Sequence, residues 1–144
     1  MKICTIQLQQ EFNAPIAKVW EDFSSHENFG NIMGQAILRI VDSTDVENIN
    51  GVGSVRKIML PLLPIEETII KSVKHSCIEY KISKGTPLSY HHGSMVFNTL
   101  PNGNTSLDYT IQLGTNIPLI ADVICSLLKN TIGKSLKKYA NTVN

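Results

Sequence analysis

His91 and His92 are the only adjacent histidines of this 144-residue chain, and their spacing forbids the first chemistry they suggest. Neighbours on a strand point to opposite faces, so the two imidazoles cannot ligate one metal ion. Cys4, Cys77 and Cys125 are odd in number, far apart and without CxxC spacing. They read as reduced, mostly buried thiols rather than disulfide partners or a zinc site. Gly133-Lys134-Ser135 lacks the upstream glycine of a phosphate loop, no GxSxG elbow is present, and nothing pairs a nucleophile with a matched base. Neither a metal nor a cofactor is expected. What remains is a basic residue in apolar company. Through residues 54 to 60, alternation puts Ser54, Arg56, Ile58 and Leu60 on one face and Val55, Lys57 and Met59 on the other. If the first face is the buried one, Arg56 needs a carboxylate, a phosphate or water, because an unpaired buried guanidinium is too costly.

Bulk properties narrow the setting. One ordinary domain spanning 1–144 fits the length. A net charge of +1 leaves no electrostatic footprint for nucleic acid or an anionic membrane. The late lysines, Lys129, Lys134, Lys137 and Lys138, fall where a helix dipole favours them. No apolar run has the length of a secretory core or a membrane span, so a cytoplasmic protein without stable membrane insertion is expected. Asn104-Thr105-Ser106 matches a glycosylation sequon, which matters only on secretion. Monomer and dimer are left undecided.

The elements that must position Arg56 follow from periodicity. Residues 3 to 12 alternate as a half-buried strand. Asn13-Ala14-Pro15 breaks it and opens a helix with proline in its first turn, whose Ile16, Val19, Trp20 and Phe23 form an apolar stripe. A second short helix covers 25 to 32 and a strand covers 36 to 41. Strands are predicted over 53–60, 65–74, 77–84, 90–100 and 104–113, five in succession without a helix, which implies an antiparallel meander. Pro101-Asn102-Gly103-Asn104 makes the clearest hairpin. From Ile117 to about Ala140 the period becomes 3.6, with Ile117, Ile120, Ala121, Ile124, Leu127, Leu128, Thr131, Ser135 and Tyr139 on or near one face of a long helix. The class is therefore α+β: a curved seven-stranded antiparallel sheet around one long C-terminal helix, with two short helices after strand 1. One helix cannot cover all of such a sheet, and unfilled apolar space of this kind is where small ligands bind.

The order of elements resembles the helix-grip fold of the START-like superfamily, also called SRPBCC, which includes abscisic-acid receptors, the birch pollen allergen, lipid-transfer START domains and polyketide cyclases. The resemblance rests on Ala14-Pro15 before Val19-Trp20, on Gly51-Val52-Gly53-Ser54-Val55-Arg56, and on Glu67 with Tyr80 thirteen places on. Pro87 before Gly93, Thr105 through Tyr109 and Ser135-Leu136-Lys137 complete it, over almost the whole chain. It implies that Arg56, Ile58 and Leu60 face inward and that Glu67 is an inward acid, so an Arg56–Glu67 pair is expected across neighbouring strands. Tyr80 and Ile82 then alternate inward on the next strand, and His91, Gly93, Met95 and Phe97 on the one after. Related proteins usually carry tyrosine where this chain has His91, which makes a hydrogen bond from His91 to a ligand conceivable.

The apolar segment Met59-Leu60-Pro61-Leu62-Leu63-Pro64-Ile65 cannot pair as a strand, since two prolines remove ladder hydrogen bonds. It either closes over a cavity, as a mobile loop does in the abscisic-acid receptors, or plugs the end of the core; its PxxP pattern suits a polyproline ligand poorly. The expected partner is a small apolar or amphipathic molecule, in a site drawn from Arg56, Ile58, Leu60, Leu63, Ile65, Glu67, Ile69, Tyr80, Ile82, His91, Met95, Phe97, Tyr109, Ile120, Ile124 and Leu128. A carrier or sensor is favoured over a polyketide-cyclase-like enzyme, because the inner face is mainly Ile, Leu, Met and Phe rather than convergent acid–base groups. A protein-partner module using the apolar loop is the third reading.

Overall fold

A computed structural model of the chain describes residues 1–60, 64–85 and 88–143. Chain order is β1 (Lys2–Phe12), α1 (Ile16–Ser24), α2 (His26–Met33), β2 (Ile37–Val41), β3 (Val55–Ile58), β4 (Ile65–Val73), β5 (Cys77–Lys84), β6 (Tyr90–Thr99), β7 (Thr105–Thr115) and α3 (Ile120–Thr142). The strands form one antiparallel sheet in the order β1-β7-β6-β5-β4-β3-β2. This is the architecture expected from the periodicity: seven strands, a long C-terminal helix, and two short helices after the first strand.

Local chemistry accounts for the boundaries. Ser25 accepts the amide of Asn28 and caps α2, and Gly34 ends it at a φ of 68°. Pro15 sits at the N-cap of α1, one position before the first turn where it was expected. Between β6 and β7 the Asn-Gly turn closes through Leu100 N–H to the Asn104 carbonyl at 2.7 Å, with Gly103 at a φ of 86°. Strand β3 is shorter than the 53–60 expected. Beyond Ile58, the amide of Met59 turns to the carbonyl of Ala36, and that of Leu60 folds back onto Ile58.

The concave face is packed at one end by large rings. Phe12, Phe23, Phe97 and Tyr139 form a chain of contacts, with Phe12–Tyr139 at 5.1 Å, Phe23–Tyr139 at 5.2 Å and Phe23–Phe97 at 5.8 Å between centroids. Trp20 adds an edge-to-face contact with Phe97 at 5.5 Å. Tyr139 also donates a hydrogen bond to Asp22 at 2.7 Å, tying the end of α3 to α1.

Two expectations about α3 need correction. The helix starts at Ile120 rather than Ile117, after Leu119 with φ of 67°, and its rotation differs. Its inward stripe is Ala121, Cys125, Leu128, Ile132 and Leu136, whereas Ile117, Ile120 and Leu127 are exposed, Leu127 by 64 %. The cysteines explain why. Cys4 on β1 and Cys125 on α3 form a disulfide, with Cα atoms 6.5 Å apart, which turns Cys125 to the sheet and so carries Ile120 outward. The expectation of three reduced thiols is thus overturned: sequence distance hid a pair that β1–α3 packing brings together, and only Cys77 is free among the described residues.

The disulfide closes a sequence separation of 121 residues, so reducing it is expected to lower stability by roughly 2–5 kcal/mol. Urea melts with and without dithiothreitol measure this. Thiol titration of the unfolded protein should find one reactive cysteine before reduction and three after.

Candidate functional site

The site is built outward from the buried charge. Arg56 and Glu67 are direct partners in the β3–β4 register. The Arg56 Nε–H donates to Glu67 Oε1 at 2.9 Å, with Arg56 only 1 % exposed. The guanidinium carbon lies over two rings, 4.5 Å from the centroid of Phe29 on α2 and 4.7 Å from that of Tyr80 on β5. A desolvated cation held over two aromatic faces is favourable in its own right. Its Nη2 is buried and has no hydrogen-bond partner among the described residues. Burial raises the Glu67 carboxyl above its ordinary value, against the opposing pull of Arg56.

Tyr80 is the hub of the polar groups. It sits opposite Gly93 in the β5–β6 register, and a methyl group at Gly93 would lie 2.3 Å from a Tyr80 ring carbon. Glycine is therefore what lets the ring lie flat across the neighbouring strand. The Tyr80 hydroxyl bonds to that of Tyr109 on β7. Burial raises both phenols, that of Tyr80 with help from Tyr109 and Glu67, that of Tyr109 with help from Glu67, so both stay neutral. The His91 ring lies beside that of Tyr80, tilted by 41° with centroids 5.6 Å apart, and its Nδ1 accepts the amide N–H of Ile82 at 3.0 Å. That bond places the ring hydrogen on Nε2. Burial, then His92 and Arg56, lower the His91 pKa to about 4.

Beside this cluster is a cavity of about 170 Å³ between the sheet and α3. Of the residues expected there, Ile58, Leu60, Ile65, Glu67, Tyr80, Ile82, His91, Tyr109 and Leu128 do line it. Arg56 does not: it stands behind Glu67, Tyr80 and Phe29, which do. Ile69, Met95 and Phe97 face inward but are buried in the packed core, Phe97 against Trp20 and Phe23, so they are away from the cavity. Ile120 is carried outward by the helix rotation, and Ile124 packs against the core without lining the space. Leu63, with Pro61, Leu62 and Pro87, lies outside the described residues.

Sequence reasoning missed several walls. Phe29 and Met33 of α2, with Gln35 and Ile37 beyond it, close one side. Ile111 and Leu113 of β7, Leu88, and Thr131 and Ile132 of α3 close the others. Along β7, Leu107, Tyr109, Ile111 and Leu113 alternate with Ser106, Asp108, Thr110 and Gln112, so the sequence does carry a signal for Ile111 and Leu113; α2 offers none.

A second buried polar group lies near the first. His26 of α2 bonds Ser54 Oγ through Nε2 at 2.9 Å, and its Nδ1 is unpaired among the described residues. Burial, then Arg56 and Arg39, lower its pKa to about 3.

No protein-family model matches the chain, and no curated protein sequence does. Among solved structures, the crystal structure of Ara h 8.0201 is similar, with a TM-score of 0.70 at 15 % identity over 98 % of this chain and 99 % of that one. The likeness is one of fold. The chain has a helix-grip fold similar to that of Ara h 8.0201. Among the described residues no helix is long and apolar enough to cross a membrane, and no cluster of ligating side chains could hold a metal ion.

Removing one partner of a buried pair strands the other. Arg56→Met or Glu67→Leu alone is expected to cost about 3–5 kcal/mol in chemical denaturation, and the double variant to recover most of that loss.

The histidines make the fold acid-labile. Both are neutral in the folded state, with pKa values below the unfolded value near 6.5, so their contribution is complete above that pH. It is lost as pH falls toward 4 for His91 and 3 for His26, each at up to about 1.4 kcal/mol per pH unit. Glu67, raised by burial, works in the opposite sense. Urea midpoints between pH 7.5 and 4.5 should therefore fall with acidification, and His26→Gln and His91→Gln should each flatten the slope.

Proposed function

We propose that this chain is a single START-like ligand-binding domain that holds one small, mostly apolar molecule between the curved sheet and α3, as a carrier or sensor. The observation that carries the reading is the cavity of about 170 Å³, whose walls are mainly Ile, Leu, Met and Phe, with polar groups gathered around Tyr80. The helix-grip fold supports it, since a cavity between sheet and helix is what that architecture leaves open. A space of that volume suits a molecule of about one ring; an apolar cavity of roughly 150 Å³ is known to hold benzene.

A cyclase-like enzyme is the alternative, and the paired phenols of Tyr80 and Tyr109 are the observation in its favour, as donors to an enolate oxygen. The base it would require is harder to assign. Nδ1 of His91 is occupied by a backbone amide, and Glu67 is paired with Arg56. Binding is therefore the better reading. A protein-partner role would rest on the 60–65 segment, three residues of which lie outside the described structure.

Native mass spectrometry of the purified protein should detect a co-purifying small molecule or, after extraction, uptake of toluene or indole. Leu128→Trp, which fills the cavity from α3, should abolish uptake while the protein remains folded by circular dichroism. Unchanged uptake by that variant would place binding elsewhere.

A further inference from the structure

We infer that the polar wall of this cavity selects an uncharged ligand bearing an acceptor oxygen, a ketone or similar carbonyl, and discriminates against carboxylates. The inference rests on the cavity being a ligand site.

It follows from what each polar group has left to offer. A buried cation would ordinarily recruit an anionic ligand, but Arg56 has its carboxylate already: Glu67 faces it in register and accepts from Nε at 2.9 Å. The guanidinium stands behind Tyr80, Glu67 and Phe29 rather than on the cavity surface, so an entering carboxylate would meet the Glu67 side chain before the arginine. Glu67 itself lines the cavity. A ligand carboxylate would lose its hydration and gain a repulsive neighbour, with no cationic side chain among the lining residues to compensate.

The remaining polar groups have hydrogen-bond donors to spare. His91 uses Nδ1 as an acceptor from Ile82, so Nε2 carries the hydrogen, and the ring lines the cavity. Two hydroxyl hydrogens belong to Tyr80 and Tyr109; one is used between the two oxygens, and the other is available to a third. Both phenols line the cavity. The groups are close: the Tyr80 ring is 5.6 Å from that of His91 and in hydroxyl contact with Tyr109. A carbonyl oxygen can accept from more than one donor and adds no charge, whereas a hydrocarbon leaves these donors unpaired.

The test uses three probes built on one ring: cyclohexanone, methylenecyclohexane, which replaces the oxygen with CH2, and cyclohexanecarboxylate. Titrations at pH 7.5, followed by calorimetry and by NMR shifts of cavity methyl groups, should show cyclohexanone binding at least tenfold tighter than the other two. Tyr80→Phe combined with Tyr109→Phe, which removes both hydroxyl hydrogens, should cut its advantage over methylenecyclohexane to below threefold. His91→Phe serves as the second variant should the double variant melt early. Tightest binding by the carboxylate overturns the inference. So does hydrocarbon binding that equals or exceeds that of the ketone, an outcome that leaves the cavity reading intact. Binding of none of the three overturns both.

Discussion

A guanidinium that is 1 % exposed must be balanced by something placed with little tolerance, and Arg56 sets that demand for the whole concave face. Moving a cation out of water costs several kcal/mol unless a partner and suitable surroundings offset it. Glu67 answers across the β3–β4 register, and because strand faces alternate, slipping that register by one residue would send the carboxylate to the other side of the sheet. Phe29 and Tyr80 both turn a ring face to the guanidinium, which constrains where α2 docks and how the Tyr80 ring lies. Gly93 then follows from Tyr80, since any larger side chain there would occupy the ring's position. Pairing register, helix docking and the hydroxyl contact to Tyr109 are thus parts of one solution to one desolvated charge.

Alternation reports which face of a strand a residue occupies and nothing about its depth. Together with the inward face that the helix-grip resemblance implied, that is why Arg56, Glu67, Tyr80, Ile82, His91 and Tyr109 were legible as inward residues, and also why Met95 and Phe97 were grouped with them. Phe97 shares its face with His91 but sits where Trp20 and Phe23 arrive from α1, and rings from another element fill the space there. Depth is decided by where α1 and α2 dock on the sheet, which periodicity does not report even where it marks their apolar faces. The same limit hid Phe29, Met33 and Ile37.

Helix α3 failed differently. The face expected from its period held Ala121, Leu128, Thr131 and Tyr139, which do turn inward, but also Ile117, Ile120 and Leu127, which do not, and it left out Cys125, Ile132 and Leu136. The buried stripe is centred on Cys125 because that residue must reach Cys4 on β1. Spacing cannot reveal such a bond when its partners stand 121 residues apart, since only the fold brings them together.

The empty space persists because α3 is held at both ends. Cys125 ties its first half to β1, while Tyr139 near its end packs on Phe12 and Phe23 and donates to Asp22. Between these anchors, Leu128, Thr131 and Ile132 face the sheet across the cavity. Sheet and helix would gain by closing on one another, since a void deprives its lining atoms of dispersion contacts. Closure requires the helix to move toward the strands, and the covalent tether on one side and the stacked rings on the other oppose it. Cavity volume is therefore a property of the scaffold, fixed by the distance between two anchors. The chemistry of the space belongs instead to the cluster around Tyr80, which can be altered without touching either anchor.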